Sequence, residues 1–401
     1  MRVVAKIWKA LRPRGIAHST VVLAVVAIAA VMLLPSVSAQ QPGFLAGSPS
    51  MAASASTGSP MGLTSSVELA KSSVLTSCPV GQNPMSDAYD PADGYVYVSN
   101  FDNISIVKPP CSVVKTVSIP GDDDPYGIAY DPLAKEIVAI EQAYAVDSAL
   151  VLRGTSLVTI VSLGGAGYHC PSYESYDPAS GTMLIADMGQ FCAAGGGLRG
   201  GIDILNLSIV GGITRASVIL DAFDRGNDPE NVLVADGYIF SAGGSEVFHV
   251  DVFSDRTFAY LGSFVVKGPC EIFCGAPLER LAWDPLNDTV VMVGLNSVFR
   301  ESVIFLNANS VDSGKFTFSY LPIPASNVFG VAYSPATQEI YIAGVWTGDS
   351  VLELSRSGAL TYVYLSPGAG ADALTYDPVD RDMYVCGYGN DTIPPTLYVT
   401  H

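Results

Sequence analysis

From residue 85 onward, apolar residues come in short bursts bounded by Gly, Pro, Asp and Asn, alternating with polar residues or running unbroken over a few positions. The first burst, residues 85–90, ends at Asp90-Pro91, and Ala92-Asp93-Gly94 completes a turn. Pro fixes its own φ and biases the residue before it away from helix, while Asp hydrogen-bonds its own backbone, so Asp-Pro opens turns. Tyr95-Val96-Tyr97-Val98 follows, then the alternating Ile104-Ser105-Ile106-Val107, then residues 113–119, ended by Pro120-Gly121. Aromatic and β-branched residues in such runs favour extended backbone. The pattern predicts four strands joined by tight turns within about 45 residues, the size of one propeller blade.

The phrase at the first turn, Ala88-Tyr89-Asp90-Pro91, returns along the chain. Its copies are Ala129-Tyr130-Asp131-Pro132, Ser175-Tyr176-Asp177-Pro178, Ala282-Trp283-Asp284-Pro285, Ala332-Tyr333-Ser334-Pro335 and Thr375-Tyr376-Asp377-Pro378, with a worn copy at Leu233-Val234-Ala235-Asp236. The repeated Asp, or the Ser replacing it, falls at 90, 131, 177, 236, 284, 334 and 377, a spacing of 41 to 59 residues. Periods of that length belong to propellers and solenoids. The sixth unit repeats the strand scheme at 328–333, 339–343, 351–354 and 360–365. In the third unit a Gly-rich excursion, residues 188–200, separates the second and third strands. No segment sustains a helical period, which disfavours a helical array.

The ends of the array decide between a ring and a rod. After the seventh copy come only two further strand runs, 382–386 and 396–400, so the last unit lacks its outermost strand. A lone strand-like segment, residues 66–76, stands before the first unit. Donating it to the last unit closes a ring and removes two free sheet edges together. The expectation is an all-β, seven-bladed β-propeller over residues 66–401, with twenty-eight strands in four-stranded antiparallel blades and the last blade closed by the N-terminal strand.

Tyr97-Val98-Ser99-Asn100, after an Asp-Pro turn, and Ile340-Tyr341-Ile342-Ala343 in the sixth unit resemble the YVTN family of β-propeller repeats. The resemblance covers residues from about 66 to 401. It implies a propeller of the kind common in archaeal surface-layer and bacterial envelope proteins. The fourth copy departs from the pattern by lacking the aromatic and the Pro, which bears on the shape of the fourth blade and not on the ring.

The N-terminus adds a location. Arg2, Lys6, Lys9, Arg12 and Arg14 precede an uncharged apolar run at 21–34, and Val37-Ser38-Ala39 offers small residues before Gln40. The run is shorter than the about 20 residues a membrane span needs, so residues 1–39 read as a cleaved signal peptide, with an uncleaved anchor as the alternative. Residues 40–65 are rich in Ser, Ala, Gly and Pro and nearly uncharged. They read as a disordered linker, because they bury too little apolar surface to offset their ordering entropy. A secreted or cell-surface protein follows. The sequons at Asn103, Asn206, Asn287 and Asn390 are glycosylation acceptors in a host that uses them. The formal net charge of −18, with no Lys/Arg cluster beyond the signal, argues against nucleic acid as a partner. A membrane enters only through the N-terminal anchor.

In a propeller, the loops leading into the innermost strands gather around the channel on one face, and the Asp-Pro turns gather on the other. The Asp-Pro carboxylates therefore read as turn formers. The lead-in loops carry Asp122-Asp123-Asp124-Pro125-Tyr126, Asn227-Asp228-Pro229-Glu230-Asn231, Pro277-Leu278-Glu279-Arg280 and Gly370-Ala371-Asp372, joined by Tyr173 and Glu174. The candidate ligand set is Asp124, Tyr126, Tyr173, Glu174, Asp228, Glu230, Asn231, Glu279 and Asp372. Carboxylates, amides and phenols in a ring suit a polar ligand or a hard cation. The sequence calls for no cofactor; Ca²⁺ is the ion such oxygen donors would suit. The plainer alternative is that acidic loops on an acidic protein are simply solvated.

Catalytic constellations are poor. His169 adjoins Cys170 without a nucleophile context, and His249 lies in an alternating strand run. The expected function is an interaction scaffold that engages a protein or glycan partner at the cell surface through its channel mouth. The alternative is a metal-dependent lyase or lactonase-like hydrolase, similar in architecture to the virginiamycin B lyase and gluconolactonase propellers. No residue set here carries that chemistry, and fold alone does not transfer it.

Seven cysteines in an exported chain make disulfides the default and leave one unpaired. Sorting the loops by face pairs Cys170 with Cys192, Cys270 with Cys274, and Cys78 with Cys386 as a lock on ring closure, leaving Cys111 free. Pairing Cys78 with Cys111 is the alternative and leaves Cys386 free.

Overall fold

The computed structural model describes residues 71–119, 124–142, 147–164, 170–189, 200–223, 229–243, 248–266, 280–295, 301–323, 328–344, 350–366, 369–389 and 393–401. All belong to the compact unit Thr57–His401. The signal, the linker, His169, Cys192, Cys270, Cys274 and the Asn390 sequon lie outside them. The chain is a seven-bladed β-propeller of antiparallel four-stranded blades, one of which carries a fifth strand. Its innermost strands are Ser86–Asp90, Asp124–Asp131, Pro171–Asp177, Pro229–Ala235, Leu281–Asp284, Val328–Ser334 and Ala371–Tyr376. Among the described residues, helix is confined to the single turn Asn309–Asp312.

Burial follows position within a blade. Second strands such as Thr182–Asp187 are buried at every residue, because both faces of the sheet pack on neighbouring blades. An outer strand such as Ser156–Ser162 instead alternates between exposed and half-buried positions. Seven apolar clusters fill the seams, one for each neighbouring pair of blades. That between blades 7 and 1 includes Tyr89, Val96, Val98, Tyr384, Leu397 and Val399. Each fully buried Val, Leu or Ile contributes about 1.5–3 kcal/mol.

The Asp-Pro turns are built as their chemistry suggests. Asp90, Asp131, Asp177, Asp284 and Asp377 each accept a hydrogen bond from the backbone N–H two residues on, at 2.7–3.0 Å. Ser334 substitutes with a longer bond, 3.3 Å from the Thr337 N–H. The motif tyrosines add a contact between blades. Tyr89 faces Asp377 of blade 7, while Tyr130 faces Asp90 and Tyr176 faces Asp131 of the blade before. Burial first, then these carboxylates, pushes the phenols up, Tyr89 to about 12. The recurring phrase is thus a turn whose tyrosine faces the turn of the blade before.

In blade 4 both parts are gone. Ala235 pairs with Tyr238, so Ala235 occupies the place of the motif Asp and Val234 that of the Tyr. Asp236 (φ 50°) and Gly237 (φ 83°) form a two-residue hairpin instead. Positive φ at both central positions is what a tight Asp-Gly hairpin requires.

Ring closure is shifted from the expected segment. Strand β1 (Lys71–Ser73) adds to blade 6 as a fifth strand, parallel to Leu360–Tyr364. Strand β2 (Thr76–Pro79) closes blade 7, antiparallel to Thr396–Thr400. The extra strand makes twenty-nine among the described residues.

The cysteine pairing follows the alternative reading, not the first. Cys78 is bonded to Cys111, and Cys386 is free and buried. Cys78 and Cys386 both pair with Leu397, from opposite sides of its strand. They are two strand spacings apart, about 10 Å, beyond the reach of a disulfide. Cys111 comes within reach because sheet twist turns the outer strands of a blade across the seam, so sorting loops by face fails at the rim. Cys170 is disulfide-bonded.

Candidate functional site

The first residues of the innermost strands converge on the channel, and one long side chain ties them together. Arg280 precedes the inner strand of blade 5 and is largely buried. Its Nη2 donates to Ser86 Oγ of blade 1, and its Nη1 donates to the Leu374 carbonyl of blade 7 at 3.5 Å. Nη1 lies 3.9 Å from Asp87 Oδ1, and the guanidinium sits 5.5 Å from the ring centroid of Tyr173 in blade 3. Tyr126 of blade 2 meets Tyr173 edge-on, ring centroids 5.5 Å apart. Five blades therefore contribute to one cluster.

Three carboxyl groups share this one cation: Asp87, Asp372 and Glu174. Burial pushes Asp87 up to about 7 against the pull of Arg280 and Cys386. Burial also raises Asp372 to about 7, opposed by a hydrogen bond from Tyr388 and by Arg280. Glu174 is raised well above its usual range by burial, with Arg280 opposing. Neither oxygen of Asp87 or Glu174 accepts a conventional hydrogen bond. Burial works to lower the Arg280 pKa, but Asp87, Tyr173 and Asp372 outweigh it and hold the guanidinium above its ordinary value. The Cys386 thiol is pushed well up by burial and by Asp87, which leaves it a poor nucleophile. The cluster carries more acid than base, and Asp87 and Asp372 can take up or release a proton near neutrality.

Gly127 makes the close packing here feasible. A Cβ at that position would lie 2.1 Å from Glu174 Oε2 and 2.5 Å from the Ser172 carbonyl.

Of the residues singled out from sequence, Tyr126, Tyr173, Glu174 and Asp372 meet in this cluster. Glu230 adjoins it by accepting a hydrogen bond from Ser172 Oγ at its carbonyl, and Asn231 is buried beside it in the same strand. Asp228, Glu279 and the side chain of Asp124 lie outside the described residues. His249 sits in strand Phe248–Ser254 of blade 4. Among the sequons, Asn206 and Asn287 are exposed, while Asn103 is half-buried and accepts from Asn100 Nδ2 at 2.9 Å. Sequence reasoning passed over Asp87 and Arg280. The signal for Asp87 was a carboxylate inside the burst 85–90, and for Arg280 a lone cation in an otherwise acidic loop. Among the described residues, no group of three or more His, Cys, Asp or Glu is placed to hold a metal.

The channel also has a concavity at its Asp-Pro end. A cavity of ≈410 Å³ lies between blades 7, 1 and 2, lined by Asp87, the motif tyrosines Tyr89, Tyr130 and Tyr376, and the prolines Pro91 and Pro378.

Fold and site together define a seven-bladed propeller with a charged, aromatic channel, an architecture consistent with an interaction scaffold. The chain is similar in fold to the β-propeller domain of Cps50 (Swd1) from Myceliophteria thermophila, with a TM-score of 0.58 and 8% sequence identity. The likeness covers 82% of this chain and 98% of that one. No protein-family model matches the chain, and no curated protein matches it.

Proposed function

We propose that this protein is an exported, cell-surface or envelope scaffold of YVTN type that holds a protein or glycan partner at its channel. The observation that carries the reading is the cluster around Arg280, where five blades place buried carboxyl, phenol and guanidinium groups at one point. A ring needed only for stability would be expected to fill this point with apolar side chains, because buried charge is weak support for a fold. Polar groups converging in a concave site are instead the mark of ligand recognition.

Two measurements test the proposal. Protease added to intact host cells is expected to degrade the chain, and N-terminal sequencing is expected to find Gln40 first; full protection would remove the surface assignment. A photo-crosslinking amino acid at position 126 is expected to trap a partner on intact envelope. No adduct, together with Tm raised by Ca²⁺ and lowered by EDTA, would favour the metal-dependent lyase or lactonase reading instead.

A further inference from the structure

The cavity on the Asp-Pro side is built unlike a hydrophobic dimple. Its walls include three phenol rings from three blades, Tyr89, Tyr130 and Tyr376. Two face carboxylates of the blade before: Tyr89 faces Asp377, and Tyr130 faces Asp90. The cavity also touches Asp87, whose side chain is fully buried behind the lining and accepts no conventional hydrogen bond at either oxygen. Its nearest cation, Arg280 at 3.9 Å, is shared with Ser86, the Leu374 carbonyl, Tyr173 and Asp372. Aromatic faces attract cations by their quadrupole, and a buried, incompletely paired carboxylate adds a full charge. A neutral sugar would use the rings and leave Asp87 unanswered.

We propose that this cup binds a guanidinium or alkylammonium group presented on a slender chain, as in an arginine or lysine side chain of a partner protein. The cation enters between Tyr89, Tyr130 and Tyr376 and is drawn by the charge of Asp87 behind the cavity wall. This goes beyond the scaffold reading by adding a second site, at the Asp-Pro end of the channel. The groups facing Asp87 are Arg280 from blade 5, and Cys386 and Asp372 from blade 7. With Asp87 titrating near 7, the cation binds the ionised form, so affinity rises from pH 6 to pH 8 and binding releases a proton.

The test is calorimetric titration of the full chain with a capped Gly-Gly-Arg-Gly-Gly peptide and with its neutral citrulline counterpart. At pH 8 the arginine peptide is expected to bind at least tenfold more tightly. Asp87→Asn should shrink that preference below threefold. Tyr376→Leu keeps apolar bulk while removing a ring face, and should weaken the arginine peptide about two- to fivefold while leaving the citrulline peptide unchanged. If Asp87→Asn does not fold, the rise of wild-type affinity between pH 6 and pH 8 serves in its place. Equal binding of the two peptides, binding of neither, or tighter binding of a neutral oligosaccharide overturns the inference. Crosslinking from position 126 reports on the other face, so the scaffold reading would survive that failure.

Discussion

Asp87→Asn should make the protein more stable at pH 8 and leave it nearly unchanged at pH 4. Asp87 titrates at about 7 in the folded chain, against a usual carboxyl value of 3.8. Between those limits the folded state holds a proton that the unfolded state has lost, so stability falls as pH rises through the window. The slope is about 1.4 kcal/mol per pH unit for one such group. Over about three units the ionised, buried Asp87 costs about 4 kcal/mol, fully expressed only above pH 7. Asn has nearly the same shape and no charge, so it removes this cost. Asp372 and Glu174 are raised in the same direction, which makes the wild-type protein gain stability on acidification from pH 8 to pH 5. The assay is urea unfolding of both proteins at half-unit steps from pH 4 to pH 8.5. Fluorescence and circular dichroism would follow the transition, with disulfides intact. The difference between the two proteins isolates Asp87 from the general repulsion of a chain with net charge −18. A difference independent of pH, or one in which Asn becomes the less stable form as pH rises, would refute the reasoning.

Arg280→Met removes the cation common to three carboxyl groups and should destabilise by about 3–5 kcal/mol at pH 8, less at pH 5 where its partners are neutral; the same urea series measures both. Gly127→Ala sets a Cβ 2.1 Å from Glu174 Oε2, and the forced shift should lower stability by about 1–3 kcal/mol in a melting experiment. Tyr89→Phe removes the phenol hydroxyl that faces Asp377 without a hydrogen bond and should change stability by less than about 1 kcal/mol by urea unfolding. Non-reducing peptide mapping should find Cys78 joined to Cys111, with Cys386 alkylated only after unfolding. The Cys78→Ser, Cys111→Ser double variant should lose about 3–4 kcal/mol, from the 33-residue separation of the bonded pair.

The ring was legible because its signals are local. Asp-Pro opens each turn through its own backbone, and the strands declare themselves by β-branched and aromatic runs. Features set by distant groups were not legible. Arg280 meets Ser86 across 194 residues of sequence, and nothing beside it announces that partner. The closing strand was placed too early, because residues 66–79 contain no turn signal to separate β1 from β2. The Cys78 partner depends on blade twist, which no spacing encodes. The worn fourth copy was visible as a departure, but the hairpin that replaced it follows from Asp236-Gly237, a dipeptide whose turn preference was there to use.

Of the acidic residues chosen from the lead-in loops, Glu174 and Asp372 lie in the Arg280 cluster. That choice left out the residue that organises the cluster, because selecting by oxygen donors discards a lone cation. From sequence, the Asp-Pro carboxylates read as turn formers and the neighbouring tyrosines have no role; the cavity those tyrosines line takes shape only where three blades stand side by side.

The central claim is that the channel holds carboxyl groups in excess of the one guanidinium that serves them. Carbon-13 NMR titration of the aspartate carboxyls in the full chain, assigned with Asp87→Asn and Asp372→Asn, tests this most directly. The account predicts two resonances that titrate near 7, each lost in its own variant. If both groups titrate near 4 instead, the channel is solvated or fully neutralised, and the account is wrong at its centre.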